Sequence, residues 1–142
     1  MEKNEKIVTE QVAFLLKDLG FDLETNHYYY VSDEGLTLSK KAELGNWNFY
    51  DTLYSAPSIN DVNDWLYEKY NVHFSLIPNF YNYNNFKKVF DLKEFVWSID
   101  ITLIDQCNTW SIGEYFKTKK EAYIEAYVDI LNRLIKSKKS KK

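Results

Sequence analysis

Two histidines, one cysteine and four scattered glycines are what this chain of 142 residues offers to the commoner kinds of site chemistry. His27 and His73 stand on segments that read as separate strands, so they form no helical pair, and a metal site would need carboxylates to complete it. Cys107 sits between Gln106 and Asn108, with no base beside it in sequence to raise its thiolate fraction. Gly20, Gly35, Gly45 and Gly113 are isolated, which gives neither a phosphate-cradling loop nor a dinucleotide fingerprint. Asp61, Asp64 and Glu68 fall within two turns of one helix and read as a solvated face. Glu114 differs, because strict alternation from Trp110 and Ile112 turns it inward unless a bulge at Gly113 rotates it out. If buried, it is the first carboxyl to examine for a perturbed pKa. No catalytic set, metal site or cofactor site emerges, and we read the chain as a binding protein rather than an enzyme.

The best binding candidate is the run Phe80, Tyr81, Asn82, Tyr83, Asn84, Asn85 and Phe86, inside a stretch from Asn79 to Leu92 where no period holds. Rings on an exposed loop give contact area at low rotamer cost, and asparagines hydrogen-bond in both senses. The same rings could fold back over a sheet edge, form a homodimer contact or stack on bases. Long connections inside compact domains tend to carry function.

Charge narrows the partners. Of 18 basic residues, five lie in the last seven positions, which leaves 13 against 21 acidic ones and a body near −8. Such a body is poorly suited to a phosphate backbone, which is normally held by several lysines or arginines. It suits a basic partner surface. One cysteine fits a reducing interior, and no stretch has signal-peptide or membrane-spanning character. The expected setting is the cytoplasm, away from membranes.

The elements that must position these groups follow from spacing. Phe95, Trp97, Ile99, Ile101 and Leu103 alternate as a strand with one buried face, and Trp110, Ile112 and Phe116 continue it across a corner at Asp105 to Thr109. Thr118 with Glu121 is a capping box, and Ala122, Ala126, Ile130 beside Tyr123, Tyr127, Leu131, Leu134 and Ile135 form the stripe of the helix it opens. Thr9 caps a first helix that Gly20 ends. A hairpin is expected from His27–Val31 and Leu36–Leu38, then an aromatic segment over residues 40–57. Ser58 caps a helix that Asn71 stops, and Val72, Phe74 and Leu76 alternate as the next strand. We therefore expect one α+β domain over residues 1–136, with a disordered lysine-rich tail at 137–142. Its antiparallel sheet combines a three-strand meander and the N-terminal hairpin, with helices on one face.

Two resemblances add to this. The string Val8 to Asp22, the Tyr28 to Tyr30 run, Ala56-Pro57 before the helix holding Trp65 to His73, and Thr118 to Ala122 resemble a family of small uncharacterised phage and prophage proteins of Bacteroides-type bacteria. This implies an accessory role in a bacterial host cell, engaging a host protein or sequestering a small ligand, as in anti-defence. Residues 58–135, in the order α-β-β-β-α, resemble the double-stranded RNA-binding domain, and Lys119 and Lys120 match the lysines that open its second helix. Tyr123 replaces a further lysine of that motif, and the first loop lacks the Gly-Pro-His signature. RNA binding is therefore the second expectation.

Overall fold

In the computed structural model, residues 6–79 and 96–140 are described, and they form three α-helices and six strands of an α+β protein. The strands make two antiparallel sheets of three, where the sequence suggests one sheet. The N-terminal hairpin does not pair with the meander; a short strand within the expected aromatic segment pairs with the hairpin instead. By internal contacts the chain divides into two compact units, residues 1–61 with 127–142 and residues 62–126. No helix among the described residues is long and apolar enough to cross a membrane.

In the first unit, α1 spans Glu10–Leu19. The Thr9 hydroxyl accepts from Val12 N at 3.4 Å, and Gly20 at φ 99° turns its N–H back onto the Leu16 and Lys17 carbonyls. A left-handed residue there favours glycine. Strands β1 (Thr25–Ser32) and β2 (Gly35–Gly45) pair from Ser32↔Gly35 onward around Asp33-Glu34, and β3 (Leu53–Ser55) pairs with Tyr28 to Tyr30 of β1. Val8, Val12, Leu16, Phe21, Tyr127, Ile130 and Leu131 are fully buried. Burial of such a side chain contributes about 1.5–3 kcal/mol before ordering entropy is subtracted.

In the second unit, β4 (Val72–Asn79), β5 (Val96–Leu103) and β6 (Asn108–Phe116) form the expected meander. It lies in the chain between α2 (Ile59–Tyr70) and α3 (Lys119–Ser140). Ile99 and Ile101 are fully buried, as the alternation requires. The β5–β6 register slips between Trp97 and Ile99, opposite Gly113 to Tyr115, so the strand is irregular where a bulge was expected. The Glu114 side chain lies outside the described structure. Asn71 ends α2 in the left-handed region at φ 56°, donates from Nδ2 to Asp105 at 2.7 Å, and accepts from Ile104 N at 3.0 Å.

The lysine tail is corrected in part. Lys136, Lys138 and Lys139 continue α3 as far as Ser140, although disorder was expected from residue 137. Lysine is a good helix former, and its charge favours the negative end of the helix dipole. Lys141 and Lys142 lie outside the described residues.

Candidate functional site

Strand β1 carries three consecutive tyrosines. Tyr29 turns into the core, where its hydroxyl donates to the Val8 carbonyl at 2.8 Å. Alternation then places Tyr28 and Tyr30 on the opposite face, with ring centroids 6.1 Å apart. Tyr28 lies between Ser39 of β2 and Ser55 of β3, and Tyr30 between Thr37 and Leu53. Tyr28, Tyr30, Val31, Ser39 and residues Asp51 to Tyr54 line a groove of about 580 Å³.

Neighbouring groups brace the strands that line it. The Trp47 ring stands 4.8 Å from Tyr28, held by an Nε1–H donated to the Thr25 carbonyl at 2.7 Å. Gly45 leaves room for that ring, since a Cβ there would stand 2.9 Å from a ring carbon. Asn48 ties the turn after Trp47 to β3, accepting from Ser55 N at 2.8 Å and donating to the Phe21 carbonyl at 3.0 Å.

Lys17 of α1 holds the turn before β3. Its ammonium donates to the carbonyls of Tyr50 at 2.7 Å, Asp51 at 3.2 Å and Leu53 at 2.7 Å. It also lies 4.6 Å from the Tyr54 ring centroid, and Phe14 packs on that ring at 4.5 Å. Burial pushes the Lys17 pKa below its ordinary value, and the Asp51 carboxylate draws it part of the way back. The described residues lining the groove include Asp51 and no lysine or arginine.

The described candidates named from sequence fall elsewhere. Phe80, Tyr81, Asn82, Tyr83, Asn84, Asn85 and Phe86 lie outside the described residues. Lys119 and Lys120 stand in the first turn of α3, where the Thr118 hydroxyl accepts from Glu121 N at 3.1 Å. The Lys119 ammonium lies 5.0 Å from the Trp97 ring centroid, and Lys120 is half-buried. Cys107 is exposed at φ 49°. His73 is exposed on the open face of the second sheet, opposite Thr102. On that face Ser111 donates to Asp100 at 2.6 Å, and Thr102 bonds Thr109 at 2.9 Å. No group of three or more His, Cys, Asp or Glu among the described residues could hold a metal ion.

The groove was missed in the sequence because its members, spread over residues 28–54, meet only through strand pairing. The available signal was the Tyr28-Tyr29-Tyr30 run, since a strand with one buried face ordinarily carries polar residues on the other. Comparisons of the chain with known protein families, with curated proteins and with solved structures found no match.

Proposed function

We propose that this protein acts by binding, without catalysis, and that the tyrosine-lined groove of the first sheet holds the partner. The observation that carries this is the outward placement of Tyr28 and Tyr30 beside Trp47, on the face opposite the buried Tyr29. Half-buried rings on an open face supply contact area while losing little entropy. A groove of about 580 Å³ falls within the range of ligand sites, roughly 300–1,000 Å³. The partner is a host protein or a small ligand, and the setting is the cytoplasm of a bacterial cell, in the accessory role that the phage-family resemblance implies.

The test is a nuclease-treated pull-down from bacterial lysate with the wild-type protein, Tyr30→Ala and Thr102→Ala. Binding at the groove requires a partner retained by wild type and Thr102→Ala and lost by Tyr30→Ala. Equal retention by all three variants rejects the groove.

RNA binding is the second reading, favoured by the α-β-β-β-α order of α2 through α3 and by the capped helix that presents Lys119 and Lys120. The acidic body and the placement of Lys119 over Trp97 weigh against it. A gel shift with duplex RNA that Lys119→Ala with Lys120→Ala abolishes would reverse the order.

A further inference from the structure

We infer that the groove accepts an organic cation: an arginine or lysine side chain presented by a protein partner. This rests on the groove being the binding site and names the chemistry it selects.

The groove combines electron-rich ring faces with a carboxylate. Tyr28 and Tyr30 line it together with Asp51, and no basic side chain does so among the described residues; Tyr54 also lines it, but its ring is already packed by Phe14 and Lys17. A phosphate or carboxylate entering there would meet a like charge and no cation to hold it. A guanidinium or ammonium would meet the negative faces of the rings and the Asp51 charge, an attraction that strengthens as water leaves. The Ser39 and Thr52 hydroxyls also line the groove and can accept from its remaining N–H groups;.

The protein already makes this contact with its own cations. Lys17 sits 4.6 Å from the Tyr54 ring centroid, and Lys119 sits 5.0 Å from that of Trp97. Lys17 is the charge that could oppose a second cation. Its ammonium is fixed on the carbonyls of Tyr50, Asp51 and Leu53 and its charge attracts the Asp51 carboxylate, so an incoming cation would share that carboxylate with it. Net charge points the same way, because a chain carrying −3 overall attracts basic surfaces at long range;. Arginine should be preferred to lysine, since its planar, weakly hydrated guanidinium stacks on an aromatic face.

The test uses the full chain and four probes: a glycine-spaced peptide with two arginines, the same peptide with neutral citrulline, choline chloride, and guanosine monophosphate. Binding is followed by amide chemical shifts at Tyr28, Tyr30 and Asp51. The arginine peptide should bind about tenfold more tightly than the citrulline peptide. Asp51→Asn should remove most of that ratio, while Tyr30→Phe keeps it and Tyr30→Ala loses binding. Equal binding of the two peptides, or preference for guanosine monophosphate, overturns the cation while leaving the groove as a site. Choline binding without the arginine peptide overturns the partner side chain in favour of a free quaternary ammonium. If no probe shifts the groove resonances, the inference fails, and the Tyr30-dependent pull-down decides separately whether the groove binds anything.

Discussion

Both sheets are three antiparallel strands, yet the first sets two tyrosines among the hydroxyls of its outer face while the second shows short polar side chains over most of its own. The second sheet shows Ser75, Asp100 and Ser111 in one row and His73, Thr102 and Thr109 in the next. Its hydroxyls are taken up in bonds such as Ser111 to Asp100 and Thr102 to Thr109. The first sheet shows Tyr28 and Tyr30, beside the Trp47 ring and near the turn that Lys17 holds. Folding alone asks for the polar kind of face, because water satisfies it. The aromatic face is the one that the proposed binding would use.

That contrast can be broken in several places. The largest effect should come from a buried face: Ile99→Ala should lose about 2–5 kcal/mol in denaturant unfolding, because it empties a fully buried site;. A loss below about 1 kcal/mol would mean that the second sheet is not held by its inner side. Next comes Gly45→Ala, which pushes a Cβ into the Trp47 ring. We expect about 1–3 kcal/mol, together with loss of the near-ultraviolet dichroism of the Tyr28–Trp47 pair, and an unchanged spectrum would show that the ring has room.

Tyr29→Phe probes the inner side of the aromatic strand and should cost about 1–2 kcal/mol near neutral pH by leaving the Val8 carbonyl unpaired;. Burial first, and the Glu10 carboxylate second, raise the Tyr29 pKa above the ordinary 10.0. The native state therefore keeps this proton longer than the unfolded chain does. The stabilisation is complete below pH 10.0 and is lost as pH climbs through the folded value. Wild-type stability should fall towards that of Tyr29→Phe in this alkaline window, and a constant difference would refute the linkage.

The smallest stability effects should fall on the open faces, and there the two sheets should part. Tyr30→Ala is expected to cost about 1 kcal/mol or less and to abolish groove binding, whereas Thr102→Ala should change stability by about 0.5 kcal/mol or less and leave binding intact. Calorimetry and the peptide titration on the same samples would show whether the faces differ in function or only in composition.

Much of the frame was legible because it is written in local signals. Thr9, Gly20, Ser58, Asn71 and Thr118 each mark a helix end by a side-chain bond or a left-handed turn. The alternation around Ile99 and Ile101 gave β5 directly. Strand β2 was read only at Leu36–Leu38 because its continuation through Lys40 to Leu44 is exposed and has no alternation to detect. The pairing of β3 with Tyr28 to Tyr30 involves three residues and left no period at all. The groove depends on that pairing, on Lys17 reaching the carbonyls of Tyr50 to Leu53, and on Trp47 folding over Gly45. None of these contacts is encoded by spacing within one element.

The link from Asn71 to Ile104 and Asp105 has a kinetic consequence. Strands β5 and β6 are joined by a short corner, so that hairpin can close early. Strand β4 must be recruited across residues 80–95, and closing that span costs entropy before any ladder bond is gained. The Asn71 link sits at the opposite end of the β4–β5 ladder, beside Val72↔Leu103. Once it forms, each later pair adds next to one already made, and the strand can zip towards its long connection instead of searching for its alignment.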